Sequence, residues 1–345
     1  MAITREYLIG LQSFETEEAY RASLSLNYST LKEIPNGPWC LENDKVFKRS
    51  DAFEVGDYVD KYFTDRDTLP ELYELEKSRI ELPASLNELY LSFLGEEIYN
   101  PQMSDCILRC KKLGLWASIK DDDKLAARIT KDFFDKLTQA SEATGKIEMT
   151  QEQQYQALCA IANIANNSNA IKLITESDGV FIIPQFKWEF EMVINGRIRK
   201  FRVMFDFLKF DTINEIIEGI DLKTGAKPSI KFKEQLIEYR YDVQGILYYT
   251  GMMALRKAYF PEWKKCTPEN FKFLYTPKRA CRMPIIVPLS EKFIYENGDV
   301  LYSDKGNQPG IWKLIDDADW YLENQIFNEP RLLAENNGIV NINDL

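Results

Sequence analysis

The chain of 345 residues contains no histidine, and this absence excludes several kinds of functional site. Hydrolases with a Ser-His-Asp or Cys-His arrangement need an imidazole base. Zinc sites with histidine ligands and haem held by a proximal histidine are excluded for the same reason. Any acid–base or metal chemistry must therefore use carboxylates, lysine, tyrosine, cysteine or water.

Long apolar runs and targeting signals are also missing. No apolar run approaches the ~18 residues that a membrane helix needs. The N-terminal sequence MAITREYLIGL lacks the apolar region and cleavage site of a signal peptide. The six cysteines form no CxxC pair, which favours reduced, buried thiols over a metal site. We therefore predict a cytoplasmic protein that does not contact a membrane.

Charge is unevenly distributed along the chain. The net charge is −11, yet residues 186–282 carry 19 Lys and Arg against 12 Asp and Glu, a local net charge of +7. A net negative charge argues against a protein that coats DNA non-specifically. A basic segment within it allows a local site for a polyanion.

Residues 1–178 have mainly helical patterns, including an amphipathic helix predicted over 50–63. From residue 179 onward the pattern changes to strands. Two apolar strands flank Asn195-Gly196, which is a strong hairpin signal. A third strand follows, and residues 230–259 then predict one long amphipathic helix.

This order of elements predicts an α+β fold, layered as in α/β proteins. Residues 179–345 would form the core, and residues 1–178 a helical N-terminal elaboration of it. No linker separates the two parts, so we expect one integrated domain.

Three features of the central segment suggest chemistry. Asp206 lies toward the end of an apolar strand, where burying a carboxylate is costly unless a partner or metal uses it. Asp221 and Lys223 are two residues apart and therefore share one face of the next strand. Such a carboxylate could hold Mg²⁺, with the ammonium beside its water. Tyr241, Gln244 and Tyr248 share one helical face through i, i+3 and i+7 spacing.

Each feature also has a structural interpretation. Asp206 could precede a turn, and Asp221 with Lys223 could form a surface ion pair. The tyrosines could be core aromatics. The order and spacing of all three features favour the functional interpretation.

The succession of D, DxK and YxxQxxxY resembles the PD-(D/E)XK nuclease superfamily, and most closely its RecB-like and RecE-like (phage-type) exonucleases. The sequence YRYDVQ at 239–244, followed by Tyr248, resembles the YRYxVQxxxY helix of RecE-like enzymes. Upstream, the sequence GDYVD at 56–60 resembles their GxxxH motif, with Asp60 in place of histidine. The similarity covers about residues 28–63 and 185–250.

The resemblance implies a restriction-endonuclease-like core, in which helices flank a mixed central sheet, and a Mg²⁺ cofactor with Mn²⁺ as an alternative. It assigns catalysis to Asp206, Asp221, Lys223 and Gln244. The metal ligands would be Asp60, Asp206, Asp221 and the Leu222 carbonyl, with Glu189 or Glu191 as an additional candidate. Asp60 could equally mark an inactive relative or an exposed helix residue, since the family has histidine at this position.

The resemblance further implies contacts with DNA. Tyr241 and Tyr248 would orient the site or touch the DNA backbone. Four basic side chains could follow phosphates or simply be solvated: Arg199, Arg202, Lys227 and Lys231.

The function implied by the resemblance is two-metal hydrolysis of phosphodiester bonds. The chain would act as a 5′–3′ exonuclease on linear double-stranded DNA in phage or bacterial recombination. It would work in the bacterial host cytoplasm if phage-encoded, with a single-strand annealing partner and a toroidal homo-oligomer as further expectations. The alternative is a catalytically inactive protein of the nuclease fold that binds DNA or a protein.

Overall fold

A computed structural model describes residues 3–41, 51–75, 82–96, 98–141, 146–301 and 307–336. In chain order the helices are α1 (Arg5–Ile9), α2 (Glu17–Ala22), α3 (Tyr28–Leu31), α4 (Asp51–Thr64), α5 (Leu69–Leu72), α6 (Ala84–Leu94), α7 (Met103–Leu113), α8 (Asp122–Ala126), α9 (Lys131–Ser141), α10 (Gln151–Ala165), α11 (Ser168–Leu173), α12 (Phe232–Glu238), α13 (Tyr241–Tyr259), α14 (Glu291–Asn297), α15 (Ile311–Asn324) and α16 (Arg331–Glu335).

The strands are β1 (Tyr73–Leu75), β2 (Ile147–Met149), β3 (Val180–Ile194), β4 (Arg197–Asp211), β5 (Ile216–Gly225), β6 (Phe271–Pro277), β7 (Ile285–Pro288), β8 (Val300–Leu301) and β9 (Gln308–Pro309). Two compact units result: residues 1–66 with 155–345, and residues 67–154. None of the described helices is both long enough and apolar enough to cross a bilayer.

The first unit is built on a five-stranded mixed sheet in the order β3-β4-β5-β6-β7. The β5–β6 pair is parallel and the other three pairs are antiparallel. The connection from β5 to β6 runs through α12 and α13, which pack their apolar side chains on the sheet. The predicted α+β class and its mixed sheet flanked by helices are confirmed.

The predicted hairpin is also confirmed. Ile194 pairs with Arg197, which leaves Asn195-Gly196 as a two-residue loop. Both loop residues have positive φ, at 50° and 78°, as a type I′ turn requires.

The predicted helix over 230–259 is wrong in one respect, because the structure breaks it between α12 and α13. Arg240 lies at the break with φ +59°, in the left-handed region. Its guanidinium pairs with both oxygens of Asp242 at 3.0 Å and donates to the Pro309 carbonyl at 2.7 Å. Both charged groups are buried, so this pair fixes the start of α13 without leaving a charge unsatisfied.

The second unit contains a small helical core. Its buried side chains come from the segment 86–137, and they include Leu89, Phe93, Cys106, Cys110 and Phe133. Strand β1 precedes this segment and β2 follows it, and the two pair in parallel. None of the six cysteines forms a disulfide. Four are buried as predicted, whereas Cys40 is half-buried and Cys281 is exposed.

Candidate active site

The candidate site begins where β4 and β5 stop pairing through their backbones. The last ladder pair is Phe207 with Ile220. One residue further, the Asp206 carboxylate replaces a backbone acceptor, since its Oδ2 accepts from the Leu222 N–H at 2.6 Å. The same register places Asp206 across from Asp221 on the neighbouring strand.

Asp221 lies at the centre of the site and is 1% exposed. Its Oδ2 is 2.5 Å from Lys223 Nζ, and its Oδ1 accepts from Gln244 Nε2 at 2.5 Å. Lys223 reaches it from the same face of β5, whereas Gln244 reaches it from α13. The structure thus brings together three residues that the sequence separates into two elements.

Tyr241 covers the ammonium of Lys223, whose Nζ is 5.0 Å from the centre of the phenol ring. The ring is itself stacked near Phe232 and Phe273, with centroids 6.1 and 5.7 Å away. Burial raises the pKa of Tyr241 to about 12, although the Lys223 charge lowers it. The phenol is therefore neutral and favours a cation beside its ring face.

Asp60 enters from α4, which packs against β5. Gly56 allows this approach, because a Cβ there would lie 3.3 Å from Thr224 Oγ1. Asp60 Oδ2 accepts a hydrogen bond from Gln185 Nε2 at 2.7 Å. Its Oδ1 is buried and has no hydrogen-bond partner among the described residues.

The carboxylates of the site repel one another in a dry environment. Burial, followed by the charges of Asp57 and Asp221, raises the pKa of Asp60 to about 7. Burial, followed by the charges of Asp221 and Asp60, raises the pKa of Asp206 well above its usual value. Burial also raises the pKa of Asp221, against the lowering effect of Lys223 and Gln244. The site thus places three carboxyl groups near one lysine, and the raised pKa values favour their neutral forms when no cation is bound.

The environment of Lys223 favours the charged form of its side chain. Burial lowers the pKa of its ammonium, but Asp221, Tyr241 and Asp206 outweigh that effect and raise the pKa above the usual value. Lys223 therefore stays protonated over the whole physiological range.

A cation would have to be held with the help of water. Across the described ranges, no three Cys, Asp or Glu side chains are grouped so that they could hold a metal ion by themselves. Mg²⁺ needs fewer protein ligands, because it keeps several waters and is usually bound by one or two carboxylates. The all-oxygen donors and the unpartnered Asp60 Oδ1 fit such a partly hydrated ion.

Glu189 and Glu191 are placed away from this cluster. Glu189 lies opposite Arg202, which is four residues, or roughly 13 Å of strand, from Asp206. Its carboxylate accepts from Ser25 and from Lys200 Nζ at 3.1 Å. Glu191 is exposed on the same strand.

The basic side chains expected to bind DNA are engaged with other groups. Arg199 Nε donates to the buried Asp319 at 2.6 Å, and Arg202 donates to the carbonyls of Arg21 and Ser23. The two lysines pair with glutamates of α12: Lys227 with Glu238 at 3.0 Å and Lys231 with Glu234 at 2.6 Å.

Tyr248 lies in the apolar core, edge-on to Phe205 and Phe271, and is 7% exposed. Burial raises the pKa of its phenol, and the charges of Asp221 and Asp206 contribute. Its ring therefore supports the cluster from within the protein.

Sequence patterns predict no role for Gln185 or for the Tyr28 hydroxyl. Gln185 carries no motif, and the only signal is that Pro184-Gln185 interrupts an otherwise alternating apolar strand. Tyr28 donates to the Tyr239 carbonyl next to the site. Both contacts join segments more than 100 residues apart.

Comparisons with known proteins add little to this geometry. No protein-family model matches the sequence, and no curated protein is similar to it. A solved crystal structure from Eubacterium rectale, described as a "putative exonuclease", is similar to 99% of this chain and 89% of its own, at 12% identity. Its TM-score of 0.42 is too low to inform function. The assignment below rests on the residues of the site.

Proposed function

We propose that the chain is a metal-dependent nuclease of the PD-(D/E)XK type, RecB-like or RecE-like, that degrades linear double-stranded DNA from its 5′ ends. One observation carries the proposal. Asp221 is held between Lys223 and Gln244 at 2.5 Å on each side, with Asp206 on the adjacent strand. A buried carboxylate paired with lysine and supported by a second carboxylate suits phosphodiester hydrolysis.

Mg²⁺, or Mn²⁺ in its place, would be held by Asp206, Asp221 and the Leu222 carbonyl. Leu222 directs its N–H to Asp206, and the C=O of a strand residue leaves on the same side as its N–H. Asp60 would contact a water of the ion through its unpartnered Oδ1. When bound, one or two such ions supply Lewis-acid stabilisation of the attacking and leaving oxygens.

The side chains of the protein have distinct tasks in this proposal. Lys223 lies against Asp221 Oδ2, where its ammonium would orient the attacking water and offset charge that develops on the phosphate. Gln244 fixes the rotation of the Asp221 carboxylate through Oδ1. Tyr241 holds the Lys223 ammonium against its ring.

The test is digestion of 5′-labelled linear duplex DNA and of a covalently closed circle, in Mg²⁺ and in Mn²⁺. We expect only the linear substrate to be degraded. Asp221→Asn should abolish degradation, whereas Asp178→Asn, the same change at an exposed position before β3, should leave it intact. Cleavage of the circle would mean that the chain is an endonuclease. Equal loss of activity in Asp221→Asn and Asp178→Asn would mean that Asp221 is not part of the active site.

Two partners belong to the proposal through resemblance alone. A single-strand annealing protein would receive the strand that the exonuclease exposes, and a toroidal homo-oligomer would enclose the duplex. Sedimentation of the purified chain, with and without DNA, measures the second directly.

The second candidate is a catalytically inactive nuclease-fold protein that binds DNA or a protein. Its protein-binding form is favoured by the engagement of Arg199, Arg202, Lys227 and Lys231 with acidic groups and carbonyls, because these partners compete with phosphate contacts. Asp60 in place of the family histidine also agrees with it. Binding of duplex DNA without cleavage in either metal would select this candidate.

A further inference from the structure

The edge strand β3 contains one irregular residue, and it faces the candidate site. Gln185 has φ +49°, a left-handed conformation inside a strand of 15 residues. The pairs on either side, Pro184 with Phe207 and Phe186 with Phe205, keep a single register. That register puts Gln185 opposite Asp206, and this one position makes no ladder pair.

Such a conformation is costly for a residue other than glycine and persists only where surrounding contacts enforce it. Two contacts do so here. Lys187 Nζ donates to the Gln185 carbonyl at 3.2 Å, and the Gln185 amide donates to Asp60 Oδ2 at 2.7 Å. An ordinary extended residue would direct its side chain differently, so the strained backbone and the bond to Asp60 belong together.

The Gln185 amide bonds to only one of the two carboxylate oxygens of Asp60. Oδ2 is occupied by the Gln185 amide, whereas Oδ1 is buried without a partner in the part of the chain that the structure describes. Gln185 lies opposite Asp206 in the strand register, and Asp206 lies across from Asp221 on the next strand. The bond from Gln185 therefore brings Asp60 to the row of the sheet that carries the other two carboxylates.

We propose that Gln185 is a positioning residue for Asp60, held in a left-handed conformation so that its amide occupies Oδ2 and keeps Oδ1 available to a divalent cation. The inference rests on the proposed metal-dependent function and adds a residue outside the D, DxK and Gln-helix motifs. Groups that orient a ligand from behind typically change metal affinity by 10-fold to 100-fold.

Two variants separate the effect of the left-handed backbone at residue 185 from the effect of the side-chain amide. Gln185→Gly and Gln185→Ala both remove the amide, but only glycine tolerates the positive φ. We expect both to weaken binding of Mn²⁺ by about 10-fold or more, measured by calorimetry on the full chain without DNA. We expect the alanine variant to melt at a lower temperature than the glycine variant. Glu215→Gly also places glycine at a position of positive φ, +57°, in an exposed loop and should keep wild-type Mn²⁺ affinity.

A double-mutant cycle tests whether Gln185 acts through Asp60. Asp60→Ala and the double variant with Gln185→Gly should bind Mn²⁺ equally, because the amide has nothing left to position. Suppose that the wild-type protein binds Mn²⁺ and cleaves DNA, and that Gln185→Gly binds Mn²⁺ with the same affinity. That result would overturn the inference and leave the proposed function in place. A wild-type protein that neither binds Mn²⁺ nor cleaves DNA would overturn both.

Discussion

Asp206 Oδ2 accepts the backbone N–H of Leu222 at 2.6 Å, and so a side chain takes over the hydrogen bonding of β4 at the point where its ladder with β5 ends. This contact lies where the backbone ladder stops, with the Asp206 carboxylate across from Asp221. The hydrogen bond and the charge of Asp206 can be separated by substitution, because an amide could accept the same hydrogen bond without carrying the charge.

Asp206→Asn should fold at least as stably as the wild-type chain when no divalent cation is present. The change keeps an acceptor for Leu222 and removes a charge that Asp221 and Asp60 repel. Nuclease activity should fall by about 100-fold or more, since metal stabilisation contributes several kcal/mol. Urea unfolding and digestion of linear DNA measure the two effects. A variant that is both unstable and inactive would mean that Asp206 serves mainly the fold.

Gln244→Leu should destabilise the chain by about 1–3 kcal/mol at neutral pH. The Asp221 Oδ1 atom would lose its amide donor in a buried position, and an unsatisfied buried acceptor costs about that much. Urea unfolding measures the change. Met253→Leu, on the more exposed side of the same helix, is the control and should change stability by less than ~0.5 kcal/mol. Equal effects of the two variants would contradict the role of Gln244.

Asp60 makes stability depend on pH. Its pKa rises from 3.8 to about 7 in the folded chain, so the folded state holds a proton that the unfolded state releases. The contribution to stability is complete below about pH 4 and is lost as the pH rises to 7. In metal-free buffer, the free energy of unfolding of the wild-type chain should fall across this window relative to that of Asp60→Asn. A difference between the two that does not change with pH would contradict the raised pKa.

Lys278 makes the free energy of unfolding depend on pH with the opposite sign. It is 6% exposed, its Nζ donates to the Ala52 carbonyl at 2.8 Å, and burial lowers its pKa to about 8. Lys278→Met should be more stable than wild type at pH 7 by about 1–2 kcal/mol, the cost of burying the charge less one hydrogen bond. The wild-type chain should recover this loss as the pH rises from about 8 to 10.5, where the unfolded state binds more protons. Thermal melts over that range compare the two proteins.

Arg199 should matter for folding and not for DNA binding. Arg199→Met leaves the buried Asp319 with Arg197 as its remaining cationic partner at 3.1 Å, and should cost about 1–3 kcal/mol of stability. The salt dependence of the affinity for duplex DNA should keep its slope, because no phosphate contact is lost. A shallower slope in the variant would restore Arg199 to the DNA-binding surface that the sequence predicts.

The local part of the candidate site was predictable from the sequence because it depends on fixed periods. Alternation along a strand puts Asp221 and Lys223 on one face, and helical spacing puts Gln244 on the face of Tyr241 and Tyr248. The hairpin at Asn195-Gly196 follows from residues that tolerate positive φ. Spacing did not reveal the break at Arg240, because the guanidinium binds a carbonyl 69 residues away.

Only the tertiary structure decided which charges face the site. Arg199 looks available in the sequence, yet Asp319 neutralises it from 120 residues further along the chain. Gln185 looks like an ordinary strand residue, yet its bond to Asp60 spans 125 residues. A sequence pattern records neighbours within a few residues. Hydrogen bonds and ion pairs across the fold depend on how helices pack against the sheet, and those contacts determine which carboxylates remain for a cation.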